Sequence, residues 1–257
     1  MTLKTEKRVG LVGLGVIGSH ILRNLDGVEG VTVDYVYDEV AEKIDSELSA
    51  AVLGDVSEVF ARNVDLVIET ATASAVKVIA PEVLKKSDLL IFSVTSLADD
   101  DFRELLRETC SKFGTRLFVP HGAILGLDGI YDGRSVIEEV VITTTKHPKN
   151  LGLSEMKSGV LYDGPTRGAC DLFPRNVNVH AAIATVGLGF DKTRSVVVAD
   201  ENTKHMTHKI SVKGQGLAWE ITIASIPVGA VTGSYTPESA ANTVRRVLAT
   251  ECGIVLA

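Results

Sequence analysis

Val9-Gly-Leu-Val-Gly-Leu-Gly-Val-Ile-Gly-Ser-His-Ile-Leu22 is the stretch on which the reading of this chain turns. It reads as a buried strand, a glycine turn and a helix start. The glycines fall as Gly13-x-Gly15-x-x-Gly18. In that spacing Gly13 permits the tight turn, Gly15 lets backbone N–H groups come close to a pyrophosphate, and Gly18 lets the helix pack against the strand. Val16 and Ile17 open the helix, so their amides belong to an N-terminus that favours anions. Glycines also gather in ordinary strand-to-helix turns, so the fingerprint needs its context.

The context agrees. Val31-Thr-Val-Asp-Tyr-Val-Tyr-Asp38 is a second strand ending in an acid about 20 residues beyond Gly18. Asp38 at that place accepts hydrogen bonds from the adenosine ribose and repels a 2′-phosphate; its structural alternative is a helix N-cap. Asp34 is the other acid, but it lies within the strand. The expected cofactor is NAD rather than NADP, although one acid alone does not bar NADP.

The strands and helices that follow alternate. Ala51–Ala61 reads as a short helix or turn, and Val64–Thr70 as a strand of a parallel sheet. Ala71-Thr-Ala-Ser74 carries hydroxyls that cap a helix from Ala75 to Leu84, and Glu69–Ala73, Ala71 included, passes the nucleotide. Leu89–Val94 is the next strand and Ala98–Gly114 the next helix, with Asp99, Asp100 and Asp101 at its positive end and Gly114 after its last turn. The three acids resemble a metal cluster, but a solvated helix start accounts for them. Arg116–Pro120 is a further strand, followed by the glycine-rich loop His121–Gly129.

From Val136 the pattern changes. Ile137–Thr145, Arg194–Ala199, His205–Lys213 and Leu217–Ile226 read as strands, the last two joined at Gly214-Gln-Gly216, with helices near Arg167–Leu172 and Asn176–Leu188. The C-terminal helix has Thr236 as N-cap, Pro237 as first residue and an apolar stripe of Ala240, Ala241, Val244, Val247 and Leu248 that packs onto the first unit. The fold class is α/β: an N-terminal Rossmann domain of residues 1–120 and 236–257, and an α+β domain of antiparallel or mixed sheet, residues 121–235, for catalysis and oligomerisation.

Composition narrows the function classes. The 257 residues are 45% hydrophobic and 23% charged, with a net charge of −7, which argues against binding nucleic acid or anionic membranes. Cys110, Cys170 and Cys252 are few, odd in number and dispersed, which fits a reducing cytoplasm and neither a disulfide framework nor a metal site. No apolar run is long enough to span a bilayer, and residues 1–8 lack the core of a signal peptide.

Catalytic candidates lie in the second unit. Strand alternation puts His208 on one face with Ile210 and Val212, opposite Thr207, Lys209, Ser211 and Lys213. A histidine there serves as acid or base near neutral pH, or is a hydrogen-bonded core residue. His205 sits at the strand's edge, His121, His147 and His180 lack comparable context, and His20 packs on the first helix. In Phe173-Pro-Arg-Asn-Val-Asn-Val-His-Ala-Ala182, Asn178 lies in a first helical turn where its amide reaches a nicotinamide or substrate carbonyl. Arg175 is a partner for a carboxylate or a surface residue.

Together, the glycine fingerprint, Gly122-Ala-Ile-x-Gly-Leu-Asp128, Phe173–Val179 with Ala181 and Ala182, Gly187-Leu-Gly-Phe-Asp191 and His208 resemble the L-aspartate dehydrogenase family over nearly the whole chain. The resemblance implies oxidation of L-aspartate with NAD or NADP to iminoaspartate, which hydrolyses to oxaloacetate and ammonia or feeds nicotinamide cofactor synthesis. It implies His208 as the catalytic histidine and Ala123 and Asn178 as cofactor contacts; Asn178, not Asn176, has the right spacing to His208. A homo-oligomer, expected as a homodimer, follows only by analogy with second domains whose hairpin sheets pair across subunits. The chain departs from the family at His121, where serine is usual, and in Gly233–Ser239, which replaces a Glu-Asn-Pro-Lys-Thr-Ser run. These departures leave a dehydrogenase or imine reductase for another small amino acid as the first alternative, and a non-catalytic NAD-sensing protein as the second.

Overall fold

The computed structural model describes residues 6–40, 49–154 and 157–249. Residues 1–5, 41–48, 155–156 and 250–257 lie outside the described residues, and with them Cys252 and the outer ends of the N-terminal unit.

The opening stretch forms strand β1 (Lys7–Val12) and helix α1 (Val16–Leu25). Strand β2 (Val31–Tyr37) follows, then the short β3 (Ala51–Val52), helix α2 (Val56–Ala61) and β4 (Leu66–Glu69). Helix α3 (Ala73–Val83), β5 (Asp88–Ile91), α4 (Asp100–Phe113) and β6 (Leu117–Phe118) complete the first layer. The six strands are parallel, in the order β3-β2-β1-β4-β5-β6. The order reverses between β1 and β4, and a crevice opens beyond the carboxyl ends of strands at such a reversal. Ala51 and Val52, read as helix or turn, instead add an edge strand beside Tyr35 and Val36.

Capping chemistry places the helices. Thr72 Oγ1 accepts from Ala75 N–H at 3.2 Å, so α3 begins two residues before the expected Ala75. Asp99 Oδ1 accepts from Phe102 N–H at 3.1 Å, and Gly114 closes α4 in the left-handed region at φ +70°. Asp99, Asp100 and Asp101 thus serve the positive end of a helix, with Lys77 and Arg103 as ion partners of the first two.

Helix α5 (Leu127–Gly133) leads into the second sheet: β7 (Ile137–Lys146), β8 (Gly159–Pro165), β9 (Arg194–Ala199), β10 (Met206–Gly214) and β11 (Leu217–Ser225). Its order is β11-β10-β7-β9-β8; β7 and β9 run parallel and the other pairs antiparallel. Helices α6 (Thr166–Leu172) and α7 (Asn178–Val186) connect β8 to β9. The sequence reading missed β8. It is an edge strand bounded by Gly159 and Pro165 with Val160 and Leu161 exposed, so it shows neither buried alternation nor a continuous apolar run.

A small hairpin of β12 (Pro227–Val228) and β13 (Thr232–Gly233) precedes α8 (Tyr235–Leu248). Thr236 is not the N-cap. Ser234 holds that place, and Pro237 falls third in the helix, where it is tolerated because the first four N–H groups lack intrahelical partners. Ala240, Ala241, Val244 and Leu248 are buried, and three of these four join Ile21 and Leu25 of α1 in one core. A fully buried valine or leucine contributes about 1.5–3 kcal/mol, so this stripe is enough to hold the C-terminal helix on the first layer.

The glycine turn is a close backbone crossing. A Cβ on Gly18 would stand 2.0 Å from the Gly13 carbonyl oxygen and 2.5 Å from Thr70 Oγ1. Gly13 itself has φ +92°, and a Cβ there would stand 2.7 Å from the Ala71 nitrogen. Gly18→Ala must therefore push backbone apart. The expected result is a loss of about 1–3 kcal/mol, seen as a melting temperature roughly 2–10 °C lower. An unchanged melting curve would contradict the crossing.

Candidate active site

Beyond the carboxyl ends of β1 and β4 lies a crevice of about 720 Å³ between the two sheets. One wall is the glycine turn: Gly15, Val16 and Ile17 line it, with Thr70–Ser74 beside them. Gly13 and Gly18 lie behind this wall and shape it rather than face the crevice. Gly15 is different: a Cβ on it would meet no atom within 4 Å, so it would project into free space. The N-terminus of α1 has no side-chain cap hydrogen bond. Unpartnered amides and a cradle that only a missing side chain keeps open fit a pyrophosphate.

Asp38 holds the turn in shape. Its Oδ2 accepts from Leu14 N–H at 2.6 Å and its Oδ1 from Val40 N–H at 2.9 Å. The acid expected to meet the ribose is thus at the glycine turn, but it spends hydrogen bonds on backbone. Asp34 faces away, toward Arg8 and Arg62.

Under the crevice floor, Glu69 is fully buried and accepts from Ala71 N–H at 2.7 Å, Ser93 Oγ at 2.7 Å and Ser93 N–H at 3.1 Å. Burial raises its carboxyl to about 7, while those hydrogen bonds pull the other way. Glu69 does not itself line the crevice. It ties the ends of β4 and β5, and so orients Ala71, which does.

The opposite wall comes from the second sheet and α7. Asn178 opens α7 with its Oδ1 3.2 Å from Thr95 N–H, while Thr95 Oγ1 donates to the Pro174 carbonyl at 3.0 Å. The backbone donor at Thr95 fixes which end of the amide it meets, so Asn178 Nδ2 is left to donate into the crevice. Ala123 and Gly122 line the same region, held from behind by Ser239 Oγ on the Gly122 carbonyl. Arg175 stands exposed at the rim.

His208 lies on this wall, 5% exposed, on the inward face of β10 as alternation predicts. Its Nδ1 is 2.8 Å from Thr144 Oγ1, directly across the β7–β10 pairing, which leaves Nε2 toward the crevice. Burial, then the positive charge of Lys146, lowers its pKa to about 3, so the ring is neutral at physiological pH. The other histidines stand apart from the crevice lining. The ring of His121 turns to the Ile124 carbonyl and Tyr235, His147 caps a short 3-10 turn, and His205 sits outside the inward face.

Lys146 is the residue that sequence reading missed. It ends β7, is 3% exposed and lines the crevice, donating to Asn176 Oδ1 at 3.2 Å and the Val231 carbonyl at 3.1 Å. No carboxylate is among those partners, and burial lowers the ammonium pKa to about 8. The signal was present in period two: Val140, Ile142, Thr144 and Lys146 share the buried face of β7. Asn176, set aside in favour of Asn178, lines the crevice too.

A dinucleotide cradle facing a neutral imidazole and a buried ammonium places this chain among the NAD(P)-dependent dehydrogenases. The family described as homoserine dehydrogenase, NAD binding domain, matches residues 13–120, and that described as aspartate dehydrogenase, C-terminal, matches residues 130–247. The L-aspartate dehydrogenase of Nitrosopumilus maritimus is 34% identical, with 86% of this chain and 88% of that protein covered. The one from Archaeoglobus fulgidus is 35% identical with the same coverage. The crystal structure of aspartate dehydrogenase from Thermotoga maritima superposes with a TM-score of 0.78 at 28% identity, covering 98% of this chain and 99% of that one. The chain belongs to the L-aspartate dehydrogenase family. A likeness to myo-inositol 2-dehydrogenase from Lactobacillus plantarum, TM-score 0.59 at 8% identity over 95% of this chain and 88% of that one, concerns the fold alone.

Gly15 and Gly18 separate binding from stability. Gly15→Ser adds a hydroxyl that caps α1 and occupies the cradle. The variant should melt within about 2 °C of the parent, as a substitution without a steric clash does, yet bind NADH about tenfold or more weakly by fluorescence titration. Undiminished binding would place the pyrophosphate elsewhere.

Proposed function

We propose that this chain oxidises L-aspartate with NAD, or with NADP, to iminoaspartate, which hydrolyses to oxaloacetate and ammonia, and that the reaction is reversible. The observation that carries the reading is the pairing, across one crevice, of the Gly15 turn with His208 and Lys146. The dinucleotide, when bound, supplies the acceptor for the hydride that leaves Cα. Gly15, Val16 and Ile17 would hold its phosphates, and Ala71, Ala123 and Asn178 its nicotinamide half; Gly13, Gly18 and Asp38 keep the turn in its binding shape.

His208 does the proton work. As a neutral ring with Nε2 toward the crevice, it accepts a proton from the substrate amine or from the water that attacks the imine. Lys146 takes a substrate carboxylate. A buried ammonium held by one amide oxygen and one carbonyl gains a charge-assisted hydrogen bond when an anion arrives. With Arg175 exposed at the rim as a second cation, the crevice offers partners for both carboxylates of a dicarboxylic amino acid, where a neutral one would use a single cation. His121, the family departure at the loop, turns away from the crevice, whereas Gly233 and Thr236 of the replaced run line it. Fine substrate preference is therefore set in the Gly233–Ser239 run.

Residues 1–120 with 236–257 form the dinucleotide-binding unit in this reading, and 121–235 the catalytic and oligomerising unit. A homodimer is proposed because the outer face of the second sheet, with Glu139, Lys209, Lys213 and Glu220 exposed, shows the inward and outward alternation of a sheet with one face free of helices. Dispersed cysteines support a cytoplasmic setting, and no helix among the described residues is long and apolar enough to cross a membrane.

Absorbance at 340 nm with aspartate and either dinucleotide tests the activity; no turnover with aspartate, but turnover with another amino acid, would transfer the reading to that substrate. His208→Ala should keep NADH binding and lose about 100-fold or more in kcat. Lys146→Met should raise the KM for aspartate about 10- to 100-fold, the size of a lost hydrogen bond to a charged group, with NADH affinity kept. Binding needs the protonated lysine, so kcat/KM for aspartate should carry a limb that falls as pH rises through about 8. Lys146→Met should lack that limb.

A further inference from the structure

Behind His208 runs a buried chain of hydrogen bonds that no catalytic step above uses. His208 Nδ1 is 2.8 Å from Thr144 Oγ1, which is 2.6 Å from His180 Nε2. His180 Nδ1 is 2.8 Å from Ser195 Oγ, and Ser195 Oγ is 2.8 Å from Thr166 Oγ1. The chain ends at the Thr193 carbonyl, 2.9 Å from Thr166 Oγ1. Thr144, Thr166, His180 and Ser195 are each 0% exposed. The chain thus passes from β10 through β7, α7 and β9 to α6, between the sheet and its helices.

Such a chain has a direction. Each hydroxyl has one proton to give, and each neutral imidazole has one N–H and one lone pair. Burial lowers the pKa of both rings, with Lys146 adding to it, so both rings are neutral. A carbonyl only accepts. Thr166 therefore gives its proton to Thr193, Ser195 gives to Thr166, and His180 gives its Nδ1 proton to Ser195. Thr144 then gives to His180 Nε2, and His208 gives its Nδ1 proton to Thr144. Run the other way, the chain sets the Thr166 oxygen against the Thr193 oxygen at 2.9 Å with no proton between them, and one buried hydrogen bond is lost.

We infer that Thr144, His180, Ser195 and Thr166 are positioning residues which fix His208 as the Nδ1–H tautomer, so that Nε2 meets the substrate as a bare lone pair. This inference rests on the proposed role of His208 as the base. The chain is no relay: a proton taken at Nε2 cannot leave at the far end, because Thr193 offers only a carbonyl and Thr166 already uses its proton there. The proton returns to the crevice by the way it came. Ser195 thus controls the polarity of a base from which two side chains, His180 and Thr144, separate it.

Long-range proton–nitrogen NMR of the full-length protein with 15N-labelled histidine reads the tautomers directly. The expected spectrum shows His180 and His208 both protonated on Nδ1. Finding His208 protonated on Nε2 in the parent overturns the inference outright, with no variant needed. Ser195→Ala removes the acceptor for His180 Nδ1–H, so an Nε2–H population should appear at His208. Its kcat should fall about twofold or more, the loss set by the fraction of His208 left in the competent tautomer, with KM and NADH affinity unchanged. Thr144→Val should shift His208 further and lower kcat more, while Thr144→Ser keeps the hydroxyl and should restore both tautomer and rate. Variants that melt like the parent and leave both tautomer and kcat unchanged overturn it as well. Full activity in His208→Ala would instead remove the catalytic reading, and the NMR result would stand apart from it.

Discussion

Three backbone segments meet at the glycine turn with the Thr70 hydroxyl set among them. The carbonyl of Gly13, the α-carbon of Gly18 and the start of the segment after β4 lie so close that a methyl group at Gly18 would stand 2.0 Å from an oxygen. Thr70 Oγ1 donates to that same carbonyl at 2.6 Å, and Thr70 N–H donates to Val12 at 2.8 Å. This crossing sets where α1 begins, how near it lies to β4, and therefore where the crevice opens. Because the sheet order reverses at the same strands, the second unit closes over that opening.

Around the crevice the two units together place a set of groups shifted by loss of water. Burial lowers His208 to about 3 and Lys146 to about 8, while it raises Glu69 to about 7. Each group has hydrogen-bond partners, but an opposite charge is absent from the causes of all three shifts, so desolvation dominates. The roles separate accordingly. The imidazole stays neutral, the ammonium keeps its charge below about pH 8 and an arriving anion steadies it further, and the buried acid accepts from the Ala71 and Ser93 amides beneath the floor. The positive lysine near the histidine also keeps that ring from protonating before substrate is present.

Much of this was legible early because it depends on local spacing. The glycine positions, the acid ending β2, the caps of α4 and the inward face of β10 each follow from a few neighbouring residues. Lys146 was not seen, although it shares the period-two face of Val140, Ile142 and Thr144, since a lysine at a strand end ordinarily reaches water. His180 was passed over for a similar reason: on α7 it looks like one more core residue, and its partners Thr144 and Ser195 come from strands 36 and 15 residues away. Edge strand β8 escaped because its outward apolar residues break the pattern by which strands are recognised.

The order of residues along the chain was by itself enough to determine a dinucleotide cradle, a second unit of mixed sheet, and a histidine facing inward, since each rests on contacts among near neighbours or on period-two and period-3.6 patterning. Tertiary structure alone decided that Lys146 and His208 share one wall, that Asp38 bonds the glycine turn, and that five side chains line up between His208 and the Thr193 carbonyl when His208 itself is counted. The physical reason is that pKa, tautomer and hydrogen-bond polarity depend on how far water is excluded and on which groups meet in space. Both are set when the sheets and helices pack, and neither is written in any short stretch of sequence.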